Sequence, residues 1–87
     1  MRFRYRLSSH AERYIRRIER SRQTQIFQRI HDLCEDPYNS DISKLLHGEG
    51  GLRSSRVGSL RILYYVEEEI RVVDVTEIGP RGDIYRD

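Results

Sequence analysis

From Arg2 to Leu7 the chain alternates arginine with Phe3, Tyr5 and Leu7, the period of two expected of a strand with one buried face. Ala11, Tyr14, Ile15 and Ile18 then recur at intervals of three and four, against Glu12, Arg13, Arg16, Arg17 and Arg20. That spacing predicts an amphipathic helix, with Ser8 or Ser9 placed to cap its start. The stripe breaks around Ser21 to Gln23 and resumes with Ile26, Phe27, Ile30, Leu33 and Cys34, and Pro37 ends it. The pattern therefore predicts two helices forming an antiparallel hairpin.

Asp36 to Gly51 is rich in turn-forming residues, with one apolar anchor at Ile42, Leu45 and Leu46. Beyond it, Leu52 to Val57, Leu60 to Val66 and Ile70 to Thr76 read as strands, separated by Gly58-Ser59 and by Glu67-Glu68-Glu69. The order β-α-α-β-β-β predicts an α+β fold, a small antiparallel sheet with the N-terminal helix hairpin packed on one face.

Composition narrows the possibilities. A length of 87 residues predicts one domain spanning 1–87. With 37% apolar and 34% charged residues, no stretch reaches the roughly 18 apolar residues of a membrane span, and the arginine-studded N-terminus does not read as an export signal. The single cysteine, Cys34, excludes an internal disulfide, and no Cys–His spacing resembles a zinc site. A reducing cytoplasm is expected, with no metal or cofactor. The net charge of +2 says little, but every basic residue except Lys44 is arginine. Arginine's planar fork of donors suits phosphate or carboxylate, so nucleic acid or an acidic protein is the expected partner, although solvated surface charge gives the same composition.

Two helices cover only one face of a sheet. If Leu60, Ile62, Tyr64 and Val66 face the core, Arg61 turns to the open face, and Arg56 stands beside it across the Gly58-Ser59 turn. Two exposed guanidinium groups brought together repel unless an anion separates them, which marks the pair as a candidate phosphate or carboxylate site. The tail Gly79-Pro80-Arg81-Gly82-Asp83-Ile84-Tyr85 adds Arg81 and Tyr85; Tyr85 reads equally as a packing residue that ties down the chain end.

The segments Lys44-Leu45-Leu46-His47-Gly48, Arg56-Val57-Gly58-Ser59-Leu60-Arg61-Ile62-Leu63-Tyr64 and Gly79 to Tyr85 resemble, in order and spacing, the RelE/ParE superfamily of toxins from type II toxin–antitoxin systems. The resemblance implies a toxin held in check by a cognate antitoxin, in a complex that binds operator DNA through the antitoxin. RelE-like members cleave mRNA in the ribosomal A site with a basic cluster, whereas ParE-like members poison DNA gyrase. Matched by position, Arg61, Arg81 and Tyr85 fall on catalytic positions, and Arg56 on a basic substrate-binding one. Arg53 and Lys44 are further substrate-binding candidates. Arg61 and Arg81 are expected to contact one phosphate on the open face. The retained trio favours the ribosome-dependent endoribonuclease. The alternative from the ParE-like branch is a gyrase inhibitor; Ser54 and Pro80 stand where RelE-like members carry further basic residues, a pattern that also permits a weakly active member working mainly through antitoxin binding. None of His10, His31 and His47 matches a catalytic position.

Overall fold

The computed structural model describes residues 2–48 and 50–80. Its elements are β1 (Arg4–Leu7), α1 (Ser9–Arg17), α2 (Arg20–Glu35), β2 (Lys44–Leu45), β3 (Arg53–Val57), β4 (Leu60–Glu67) and β5 (Val72–Pro80). The strands form one sheet in the order β1-β5-β4-β3-β2. The fold is α+β, as the periodicity predicts. The sheet is mixed, however, because β1 runs parallel to β5, pairing Arg4 with Val72 through Leu7 with Val75. The connecting segment also contributes β2, two residues long, which pairs with Arg53 and Ser54 of β3.

Ser8 starts α1. Its hydroxyl oxygen accepts the Ala11 N–H at 3.0 Å and donates to the Thr76 carbonyl at 2.6 Å, so one side chain caps the helix and fastens it to β5. The helices part at Ile18 and Glu19, not at Ser21 to Gln23. Those residues lie in the first turn of α2, where Gln23 reaches back to donate to the Ile15 carbonyl at 2.7 Å, an acceptor otherwise weakly served at the end of α1. Apolar spacing misses the break because a polar first turn leaves the same gap as a loop.

β5 runs to Pro80, four residues beyond its expected end. Leu63 pairs with Glu77 and Tyr64 with Val75, so Thr76 is an extra residue in the ladder. The bulge lets Val75 and Ile78, three apart, both reach the core. A period-two reading loses phase there and stops. The core is built from Ala11 and Ile15 of α1, Ile26, Ile30, Leu33 and Cys34 of α2, and Leu60, Ile62, Tyr64, Val73, Val75 and Ile78 of the sheet. Truncating a fully buried member such as Ile30 to alanine costs about 2–5 kcal/mol.

Tyr64 ties this core to the connecting segment. Its ring is fully buried, its hydroxyl donates to the Pro37 carbonyl at 2.7 Å, and Ser43 shares that hydroxyl. Burial pushes the Tyr64 phenol pKa up. Among the described residues no helix is long and apolar enough to cross a membrane.

Candidate anion-binding cleft

The β3–β4 hairpin sets the geometry of the site. Its turn is Gly58-Ser59, and only Gly58 carries a positive φ, of 60°; a two-residue hairpin with that requirement at its first turn position is of the II′ kind. The turn fixes the register so that Val57 pairs with Leu60, Arg56 with Arg61 and Ser54 with Leu63. Leu60 and Ile62 enter the core, so by alternation Arg61, Arg56 and Ser54 share the face away from the helices. Directly opposed residues on one face lie about 4.5–5.5 Å apart at Cβ. The expected arginine pair exists.

Its exposure differs from the expectation. Arg56 is exposed, but Arg61 is only 6% exposed. Arg61 sits on β4, which has a neighbour on each side, and its guanidinium donates to the Ser54 hydroxyl at 3.0 Å. The serine that stands in place of a further basic residue is thus the hydrogen-bond acceptor for Arg61. It is itself 3% exposed.

At the outer edge of β3, Arg56, Arg61, Ser54 and Lys44 line a cleft of about 400 Å³, joined by Arg29 from α2 and by Asp41. Lys44 is brought there by the strand β2. Asp41 is the one carboxylate among the described lining residues. The cleft therefore gathers four cationic side chains and three serine hydroxyls, those of Ser40, Ser43 and Ser54, around a volume suited to a phosphate and part of its ester substituents, an arrangement that binds anions.

Arg53 is elsewhere. It pairs across the hairpin with Tyr64, donates from Nε to the Ser43 hydroxyl at 2.9 Å and lies 5.3 Å over the Tyr38 ring. That places it against the connecting segment and apart from Arg56, as alternation requires. The Tyr38 hydroxyl in turn bonds Glu68, and partial burial together with that carboxylate pushes the Tyr38 pKa up to about 12. Arg81 and Tyr85 lie outside the described residues. His10, His31 and His47 are exposed, and none lines the cleft. Among the described residues no group of three or more His, Cys, Asp and Glu side chains is placed to hold a metal ion.

Sequence reasoning missed Arg29. It lies three residues after Ile26 and four before Leu33, both buried, so it borders the apolar stripe of α2, a position from which a long cationic side chain reaches the sheet. That spacing was the available signal.

Solved structures share the fold. The RelBE2 toxin–antitoxin complex of Mycobacterium tuberculosis matches with a TM-score of 0.81 at 23% identity, over 93% of this chain and 100% of that one. The RelE–RelB complex of Pyrococcus horikoshii matches at 0.80 and 20%, over 95% and 99%. The intact RelBE complex of E. coli matches at 0.79 and 20%, over 90% and 95%. No curated protein matches the sequence. The family model for the ParE toxin of the parDE type II toxin–antitoxin system covers residues 5–85. That match takes in nearly the whole chain, the hairpin with Arg56 and Arg61 included, and the protein belongs to the ParE toxin family of type II toxin–antitoxin systems, within the RelE/ParE superfamily.

Proposed function

We propose that this toxin is a ribosome-dependent mRNA endoribonuclease that inhibits translation in the cytoplasm. The observation that supports the reading is the Arg56–Arg61 pair, held face to face by the hairpin register at a cleft that also contains Ser54 and Lys44. In this chemistry the ribose 2′-hydroxyl attacks the adjacent phosphate. The protein must lower the energy of the extra negative charge on the pentacoordinate phosphorus and deliver a proton to the departing 5′-oxygen. Arg56 and Arg61, permanently cationic, supply the charge stabilisation, and Lys44 on the rim holds a neighbouring phosphate. Arg81 and Tyr85 keep the roles implied by their motif positions, with Arg81 as a further phosphate donor and Tyr85 as the proton donor. Arg53 is engaged by Ser43 and Tyr38, which supports a role in shaping the connecting segment.

The partner in the cell is an antitoxin, and its acidic residues neutralise the arginines of the cleft; the solved relatives are complexes of RelE with RelB. The toxin–antitoxin pair binds operator DNA through the antitoxin.

The test is mRNA cleavage mapped on purified ribosomes carrying a defined A-site codon. Cuts within that codon, lost on Arg56→Ala, support the reading. A second reading, inhibition of DNA gyrase, is favoured by the ParE family model. Intact mRNA on ribosomes together with blocked supercoiling by purified gyrase would replace the first reading with the second.

A further inference from the structure

β2 pairs only with Arg53 and Ser54, so the outer edge of β3 from Ser55 to Val57 has no strand beside it among the described residues. An unpaired strand edge has carbonyls that need donors. Here a helix supplies one. Nη1 of Arg29 donates to the Arg56 carbonyl at 2.6 Å and to the Ser55 hydroxyl at 2.9 Å. Nε is buried without a hydrogen-bond partner and makes only a long ion pair with Asp32, at 3.9 Å. The Nη1 bonds set the position of Arg29, and the side chain lines the same cleft as Arg56 and Arg61.

We propose that Arg29 is a positioning residue of the anion cleft: it clamps the Arg56 carbonyl on the open edge of β3 and so holds the Arg56 side chain opposite Arg61. Arg56 itself is exposed, which makes the backbone beneath it the point of control. A charge-assisted bond to that carbonyl is among the stronger single restraints available. Arg29 also adds a cation to a cleft whose β3 position 54 is a serine. The consequence for cleavage rate rests on the endoribonuclease reading; the clamp and its effect on anion binding do not.

The experiment titrates inorganic phosphate into isotope-labelled protein and follows the Nε–Hε resonances of Arg56 and Arg61, with thermal unfolding measured alongside. In the wild type both resonances are expected to move with one affinity. Arg29→Met should weaken phosphate binding tenfold or more, with Arg56 no longer moving in step with Arg61. Arg29→Lys, which keeps the charge and N–H donors but on a shorter stem without the planar guanidinium, should fall between the two. If the methionine variant does not fold, the lysine variant is read in the same way. Folded variants in which both arginines still report phosphate with wild-type affinity overturn the proposal, whatever happens to the melting temperature, as does an Arg29→Lys protein indistinguishable from wild type. Single-turnover cleavage on ribosomes separates this proposal from the functional reading. A wild type that binds phosphate in an Arg29-dependent way yet never cuts mRNA refutes the nuclease and leaves the clamp standing.

Discussion

Arg56 and Arg61 face each other across one hairpin, yet one is exposed and the other is 6% exposed, so truncating each in turn separates chemistry from stability. Arg56→Ala removes a solvated side chain, and such surface changes shift stability by only about 0.5 kcal/mol. Arg61→Ala deletes two buried methylenes, at about 0.8 kcal/mol each. It also deletes the charge-assisted bond to Ser54 at 3.0 Å, of the kind worth about 1.5–3 kcal/mol. Part of this is offset because the guanidinium no longer has to be desolvated. A net loss of about 2 kcal/mol is expected, which for a domain of this size lowers Tm by roughly 10 °C. Arg61→Met keeps the stem and should recover about half of the difference. For function the two arginines should be equivalent, since losing one phosphate-stabilising donor costs on the order of 3 kcal/mol in the transition state, a hundredfold or more in rate. Calorimetry or circular dichroism melts, paired with ribosome cleavage assays, read both axes. If Arg56→Ala and Arg61→Ala melt within a degree or two of each other, the inferred burial energetics of Arg61 are wrong. If a folded Arg56→Ala, Arg61→Ala double variant cleaves at the wild-type rate, the phosphate role is wrong.

Tyr64→Phe should destabilise by about 1–3 kcal/mol, because the Pro37 carbonyl loses its donor and the buried Ser43 hydroxyl keeps only its bond from Arg53; a urea midpoint equal to wild type would contradict that bond. The raised Tyr38 pKa gives a stability contribution that is complete below pH about 10 and is lost as pH rises towards about 12, since over that window the unfolded state has released the proton that the folded state retains. Tyr38→Phe should therefore flatten the alkaline fall in Tm, and an unchanged slope would count against the Tyr38–Glu68 contact. Asp41→Asn removes the one carboxylate among the described lining residues of the cleft and should tighten phosphate binding about twofold, the scale of a single exposed charge, whereas weaker binding would show that Asp41 helps to organise the site. Gly58→Val should cost about 1–2 kcal/mol for a positive φ that the larger residue resists, measured by chemical unfolding.

How much was legible in the sequence depended on whether the signal was local. The helices and the β3–β4 hairpin follow from apolar spacing and from Gly58-Ser59, because each is decided within a dozen residues, and the opposition of Arg56 to Arg61 follows from counting outward from that turn. The parallel pairing of β1 with β5 was not legible, since alternation in Phe3, Tyr5 and Leu7 says that a strand exists but not which strand it joins. The length of β5 was hidden by the bulge at Thr76. The burial of Arg61 was missed because an arginine reads as exposed until its neighbours are known, and its acceptor, Ser54, looked like a loss of function. Arg29 was hidden for the related reason that a polar residue beside an apolar stripe resembles any other solvated position.

The parallel β1–β5 pairing bears on how the chain reaches its native state. Arg6 and Asp74, bridged at 3.2 Å, are 68 residues apart, and closing a loop of that length costs about 4 kcal/mol of chain entropy before any contact rewards it. The hairpin turn between β3 and β4 closes almost at once by comparison. An order of events follows in which β3, β4 and β5 assemble as a meander while β1 docks late. Until it does, the side of β5 that receives β1 is an open edge that the finished sheet covers with its end strand, available to a strand of any other chain. Substitutions at the β1–β5 seam, such as Asp74→Ala, should accordingly accelerate unfolding far more than they slow folding, and should promote aggregation during refolding at high protein concentration.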